Sequence, residues 1–533
     1  MKTPVRTLSV LLCACACAAP RTPPPKPPEA PPPAAASPAP PPAVAEPAPV
    51  DRSHPPPLGP NEPISLPRQL HFILSNGLRV RLVEQHRLPL VALELVVDAG
   101  SSRDPANLPG LASFTAAMVT EGTRTRSATQ ISDQVGFLGA ALSAAAGPDA
   151  ASLSGSCLSR QLKDFMAIFS DVAMHPAFSE GDVERVRDER RVTLIQQRDQ
   201  PAIVAVKAFA SLFWGDHPYG HPIIGTESGL SRTRRSDLAE FHDRYWRPGN
   251  AQLVVVGDVT EDQLRRILAG TLGFWEEGGH PAPPLPARPP AAPHRTLVID
   301  KRNASQSYLA LGAPGLDRRS PDFVAATVMF EVLGGGTSSR LFRGLREEKG
   351  YTYGIGAGAD ARRLGGASVV RGSVKAEVTG AALKDLLAEL SRMREEPVPA
   401  DELEEAKAGI VRALPAEFAT VGEIAGQLAE LALYDLPDDY WNTYAEEVHD
   451  VSAADVKEMA ERYLDPGHLT LVMVGPREVV RPQLVSLPLG EVETGAVSRP
   501  TPPRPAPLPR ANGLLPRKPT PNTPAATGGT GSP

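Results

Sequence analysis

Arg244-Tyr-Trp-Arg-Pro-Gly-Asn-Ala-Gln-Leu-Val-Val-Val-Gly257 recurs 218 residues later as Arg462-Tyr-Leu-Asp-Pro-Gly-His-Leu-Thr-Leu-Val-Met-Val-Gly475, with eight of 14 positions identical. Just upstream, Asp237, Leu238 and Glu240 correspond to Asp455, Val456 and Glu458. Each copy reads as a helix, a Pro-Gly stop and a buried strand that ends in glycine. Phe178-Ser-Glu-Gly-Asp-Val-Glu-Arg and Val398-Pro-Ala-Asp-Glu-Leu-Glu-Glu each predict the start of a long charged helix. Their carboxylates sit at the positive end of the helix dipole. Strands are expected at residues 78–84, 91–97, 253–256, 297–300, 308–312 and 469–474. A period of 218 residues is too long for a solenoid and implies a duplicated α+β domain.

The prolines mark where the copies begin and end. Of 59 in 533 residues, 20 fall between residues 20 and 63, seven between 281 and 293, and 11 between 500 and 533. Two proline-poor bodies remain, each within the usual domain size of about 100–200 residues. Collagen, coiled coil and a wholly disordered chain are excluded. A membrane bundle is excluded too, because the sequence lacks an apolar run of about 18 residues. Net charge is −6 and forms no basic stripe, so nucleic acid is not an expected partner. The cysteines are Cys13, Cys15, Cys17 and Cys157. One thiol inside the bodies cannot form a disulfide framework or a cysteine zinc site, and Cys157 is expected to be a small buried side chain.

Lys2 and Arg6 precede the apolar run from Leu8 to Ala19, the layout of an export signal too short to span a bilayer. Leu12-Cys13-Ala14-Cys15 resembles a bacterial lipobox with Cys15 as the lipidated residue, Cys13 and Cys17 being alternatives. An ordinary cleaved signal ending near Ala18-Ala19 is the competing reading. The Pro/Ala segment that follows suits an extended tether, at about 3.1 Å per residue.

Six stretches then carry a resemblance. They are Leu74-Ser-Asn-Gly-Leu-Arg-Val, Val97-Asp-Ala-Gly-Ser, Gly110-Leu-Ala-Ser-Phe, His217-Pro-Tyr-Gly-His-Pro, Leu333-Gly-Gly-Gly-Thr-Ser-Ser-Arg-Leu-Phe and Leu345-Arg-Glu-Glu-Lys-Gly-Tyr-Thr-Tyr. In this order, with the duplication, they resemble the pitrilysin/insulinase-type zinc metallopeptidases, especially the processing-peptidase-like branch. The resemblance implies two homologous α/β sandwich domains, each an antiparallel-rich sheet flanked by helices. Together with the proline clusters and the N-terminal run, it divides the chain into a signal (1–19), a disordered tether (20–68), an N-terminal domain (69–276), a linker (277–294), a C-terminal domain (295–480) and a disordered tail (481–533). Two such pairs form, in the family, a chamber that admits peptides and small unfolded proteins.

The family's zinc helix carries His-x-x-Glu-His between Gly-Leu-Ala and Met-x-x-x-Gly-Thr. Two histidines one turn apart hold the metal, and the glutamate polarises its water. Both flanks are present, as Gly110-Leu111-Ala112 and Met118-Val-Thr-Glu-Gly-Thr123, around Ser113-Phe114-Thr115-Ala116-Ala117. Ser113 and Ala117 stand at the ligand positions and Ala116 at the base. The third ligand, a glutamate in the family, aligns with Gln196 of Glu189-Arg-Arg-Val-Thr-Leu-Ile-Gln196. No metal is expected on this chain; zinc is expected on a partner subunit. His217 and His221 are read as a turn, and the glycines 334–336 as a place of close backbone packing rather than a phosphate loop.

The resemblance also picks out Arg346 and Tyr353. In active relatives an Arg and Tyr at this spacing reach across the chamber to the zinc site, for oxyanion and substrate contact in trans. The bland alternative pairs Arg346 with Glu347 or Glu348 and buries Tyr353; Tyr351 is a second candidate. Residues 140–153 resemble the edge strand on which substrate peptides lie, here alanine-rich and interrupted by Gly147-Pro148. The expected function is a non-catalytic subunit that pairs with a zinc-bearing homologous subunit. The expected location is the bacterial cell envelope, on an outer-membrane lipid anchor facing the periplasm. The alternative is a structural or peptide-binding lipoprotein of the same fold.

Overall fold

The repeated unit builds the middle of two sheets. The computed structural model describes residues 66–277, 284–288 and 294–496. Cys15 and the export signal lie outside the described residues, as do most of the tether and the tail beyond 496.

The first sheet contains β1 (Gln69–Ile73), β2 (Arg79–Glu84), β3 (Leu90–Val97), β4 (Ala141–Ala146), β5 (Ala151–Leu158) and β6 (Ala251–Gly257), in the order β1-β2-β6-β3-β5-β4. The second contains β7 (Arg295–Asp300), β8 (Gln306–Gly315), β9 (Thr352–Asp360), β10 (Gly366–Lys375), β11 (Thr470–Gly475) and β12 (Val492–Ala496), in the order β12-β7-β11-β8-β10-β9. The repeated strands β6 and β11 occupy matching places. Each runs parallel to the first long strand of its half and antiparallel to the next. Gln252 faces Arg79 in one sheet, and Thr470 faces Arg295 in the other. All six expected strands form. Beyond them form β1, β5, β9, β10 and β12, and β4, expected as a broken edge.

Both faces of each sheet are covered, which is why β6 reads Leu-Val-Val-Val rather than alternating with polar residues. Leu93, Leu95, Leu253 and Val255 face helices of their own half. Ala92, Val96, Val254 and Val256 face the other way, into the cluster that contains Leu428, Leu431 and Ala432. Those three belong to the helix Val421–Tyr434 of the second half. The reverse holds as well. Ala205 and Phe209, on the helix Pro201–Trp214 of the first half, pack on Ala310, Val472 and Val474 of the second sheet. The two helices sit 220 residues apart in sequence and exchange places across the duplication. Pro201 starts one, in the first turn where a missing N–H costs nothing. Thr420 caps the other through a reciprocal bond with Glu423.

The Gly147-Pro148 pair does not break the edge strand. It is the turn between β4 and β5, and Asp149 within it is buried. The Asp149 carboxylate accepts from the Tyr219 hydroxyl, from the Tyr434 hydroxyl at 3.1 Å and from the Arg363 N–H at 3.1 Å. One carboxylate thus ties a first-half hairpin to two second-half elements.

Two expected boundaries move. The second half continues past 480: the helix Arg477–Leu484 buries Val480 and Leu484, and β12 adds a parallel strand to β7. Described secondary structure therefore continues to residue 496. At the other end Leu66, assigned to the tether, is buried, and its N–H donates to Asn442 Oδ1 at 3.0 Å.

Candidate functional site

The helix Leu111–Val119 carries the metal-motif positions. It starts at Gly110, whose φ of 98° is left-handed; a Cβ there would lie 2.7 Å from the Ile224 carbonyl. Asp104 takes two of the helix's unpaired N–H groups, from Gly110 at 2.6 Å and Ala112 at 2.7 Å. Burial pushes the Asp104 carboxyl up to about 7, against the pull of those N–H groups and of Arg190.

Ser113 is fully engaged. Its hydroxyl donates to the Ile223 carbonyl at 2.6 Å and accepts from Arg190 Nη2 at 2.5 Å. Arg190 also donates to the Ser113 carbonyl at 3.3 Å and the Ile224 carbonyl at 3.1 Å. Its guanidinium lies 5.2 Å from the centre of the Phe114 ring, and burial lowers its pKa to about 10. Ala116 is sealed inside the core and Ala117 is half-buried. Gln196 is exposed on the helix Glu180–Arg198; its neighbour Gln197 accepts from Lys207 Nζ at 2.5 Å. Ser113, Ala116 and Ala117 share one helix, but the residue that meets Ser113 from the second helix is Arg190.

A zinc ion does not fit these residues. Zinc wants about three nitrogen, sulfur or carboxylate donors and an open position. The positions offer a hydroxyl already bonded to a guanidinium, two methyl groups and an exposed amide. Among the described residues no group of three His, Cys, Asp or Glu side chains is placed to hold a metal. His217 and His221 flank a short turn at Pro218–Gly220, as expected. His217 Nδ1 accepts from the Tyr219 N–H and its Nε2 donates to the Pro286 carbonyl at 3.2 Å. Burial holds both imidazoles below their ordinary pKa.

The second half carries the other pair. Arg346 lies in the wide helical turn Arg343–Glu348, and Tyr353 is the second residue of β9, an edge strand. Arg346 Nη1 donates to the Tyr353 carbonyl at 2.6 Å, and its guanidinium sits 4.5 Å from the Tyr353 ring centre and 4.8 Å from that of Phe342. Tyr353 is 79% exposed, so the bland reading of it as core is overturned. Neither Glu347 nor Glu348 pairs with Arg346 among the described contacts. Tyr351 packs against the core instead, which leaves Tyr353 as the tyrosine that faces solvent. A Cβ on Gly334 would lie 2.5 Å from the Ala357 N–H nitrogen of β9, the close approach expected of that glycine run.

No motif in the sequence marks Arg190. A signal was present: Val183, Val186, Arg187 and Leu194 are the buried residues of that helix, and Arg190 falls on the same face.

Residues 79–227 match the family model described as insulinase (peptidase family M16), and residues 233–410 match that of the peptidase M16 inactive domain. The first match holds the metal-motif positions, the second Arg346 and Tyr353. An uncharacterized zinc protease of Mycobacterium leprae is 30% identical over 291 residues, 54% of this chain and 65% of the relative. One of Mycobacterium bovis is 28% identical over 363 residues, 67% and 81%. The chain thus spans slightly under two thirds of the first of these and more of the second. Among solved structures, a peptidase M16 inactive domain from Pseudomonas fluorescens superposes with a TM-score of 0.72 at 26% identity, covering 77% of this chain and 98% of that one. A protease from Helicobacter pylori reaches 0.72 at 20% identity, with 77% and 100% covered, a likeness of fold.

Proposed function

The chain belongs to the insulinase-type M16 peptidase family, and from that premise we propose that it is a non-catalytic subunit, completing a peptide-degrading chamber with a zinc-bearing homologue. The observation that carries this reading is a contrast between the halves. The metal positions hold no donor set, while a half-buried Arg346 stays paired with Tyr353, which is exposed at a sheet edge. A tyrosine kept only for packing would be buried; this one is exposed, with the guanidinium stacked beside its ring. In the complex, the Tyr353 hydroxyl donates a hydrogen bond to the substrate oxygen on which charge develops. Arg346 holds a neighbouring carbonyl or carboxylate of the peptide. The partner supplies the metal and its water. The first half contributes β4, whose outer edge offers unpaired backbone groups to an extended peptide.

The location is part of the proposal: export to the cell envelope, a lipid on Cys15, and a proline-rich tether that holds the bodies off an outer membrane, on its periplasmic face. The test is reconstitution of peptide cleavage with a homologue that bears an intact His-x-x-Glu-His, with and without chelator. A purely structural lipoprotein of this fold predicts that Arg346 and Tyr353 are dispensable there.

A further inference from the structure

The helix Pro201–Trp214 has two faces, and only one is accounted for by the exchange between halves. Ala205 and Phe209 cover the second sheet. Ile203, Val206, Lys207 and Ala210 look instead into an open cavity of about 530 Å³, lined on the other side by Ile223 and Arg190. That volume is in the range of small-molecule sites, which run to about 300–1,000 Å³.

The wall of the cavity is mostly apolar, and no aspartate or glutamate lines it. Two of its cations make their hydrogen bonds only to neutral groups. Arg190 donates to the Ser113 hydroxyl and to two carbonyls, and Lys207 donates to the Gln197 amide oxygen. Arg190 Nε is buried with no hydrogen-bond partner. Arg362, which also lines the cavity, is already matched by Asp360 at 2.7 Å. His221 Nε2 lies 3.7 Å from Asp104, beyond hydrogen-bond reach, and is unpartnered too. The nearest carboxylate, Asp104, is tied to the helix start behind this wall. Lys207 has no counter-ion on this wall, and Arg190 has only Asp104, itself committed to the helix start; such partly desolvated cations are a standing electrostatic cost, and an anion that also covers the apolar wall relieves it.

We propose that this cavity binds a small carboxylic acid with an apolar body, its carboxylate between Arg190 and Lys207 and its body against Ile203, Val206 and Ile223. A free aliphatic acid and the C-terminal residue of an apolar peptide share that chemistry. The site is separate from Arg346 and Tyr353 and does not depend on a partner subunit, so it stands or falls apart from the chamber.

The test is calorimetric titration of the full chain with octanoate, with N-acetyl-Leu-Leu, and with the amide of each. Saturable binding of at least one acid is expected, with its amide at least roughly tenfold weaker, the loss of one charge-assisted hydrogen bond. The acid that binds identifies the source. Lys207→Gln weakens that acid by a similar factor while Lys207→Arg retains it. Lys207 is the residue to change, because Arg190 also fastens two helices together. An Ile203→Trp variant that fills the cavity and melts as a folded protein abolishes binding. No binding of either acid, equal binding of acid and amide, or unchanged binding by Lys207→Gln overturns the proposal.

Discussion

The Arg346 guanidinium donates to the backbone carbonyl of Tyr353 at 2.6 Å and stacks 4.5 Å from its ring, with the phenol left 79% exposed. The arginine therefore positions the tyrosine without consuming its hydroxyl. In the reconstituted complex, Tyr353→Phe lowers kcat by about 10²–10³-fold if that hydroxyl meets the oxyanion. Arg346→Ala lowers kcat/KM by at least about tenfold. Neither change shifts the melting temperature of the isolated chain by more than a degree or two, since both side chains are at the surface. Steady-state kinetics beside thermal melts separate this role from a structural one.

The exchanged helices make the two halves one folding unit. Phe209 is buried on the second sheet, where a Cβ on Gly312 would lie 2.5 Å from its ring. Phe209→Ala leaves a cavity and costs about 3–5 kcal/mol. Gly312→Ala destabilises by crowding the same ring. Each variant is expected to unfold in a single transition at lower denaturant, measured by circular dichroism and tryptophan fluorescence together. A separate early transition of one half would contradict the interlock.

Asp104 gives stability a pH dependence of known sign. Its carboxyl is raised to about 7 in the folded chain, from 3.8. The folded state therefore holds a proton that the unfolded state has released. The stability this represents is fully present below about pH 4 and is lost as pH rises through about 7, at up to about 1.4 kcal/mol per unit. Arg190 and His221 face the same carboxylate and moderate the slope. Asp104→Asn flattens this part of the profile, read from denaturant midpoints between pH 4.5 and 8. An identical slope in the variant would contradict the assignment.

Some of this architecture is legible in the sequence and some is not, for physical reasons. Ala251–Gly257 and Thr470–Gly475 announce themselves because strands covered on both faces carry an unbroken apolar run, here Leu253–Val256 and Leu471–Val474. The acidic starts of the helices Glu180–Arg198 and Ala400–Glu417 are equally plain. The faint strands are β4, alanine and serine around one leucine with no β-branched residue, and β9, whose Thr352, Tyr353 and Ile355 are diluted by glycine and alanine. The helix exchange was invisible. An apolar face on Pro201–Trp214 says that the helix is covered, not which sheet covers it. That Ser113, Ala116 and Ala117 offer no nitrogen, sulfur or carboxylate donor is plain from the sequence alone. The contact that fills the place, Arg190 on Ser113, joins positions 77 residues apart and needed the fold. Exposure of Tyr353 rather than Tyr351 likewise rests on the start of β9, which no periodicity in Gly350-Tyr-Thr-Tyr-Gly354 sets.

The central claim is that this chain lends Arg346 and Tyr353 to a metal it does not carry. The most direct measurement is cleavage of a fluorogenic peptide by the purified chain alone, by a zinc-bearing homologue alone, and by an equimolar mixture, each with and without chelator. The account predicts no cleavage by the chain alone and chelator-sensitive cleavage by the mixture that exceeds the homologue's own. Chelator-sensitive cleavage by this chain alone, or a mixture no faster than the homologue, would contradict it.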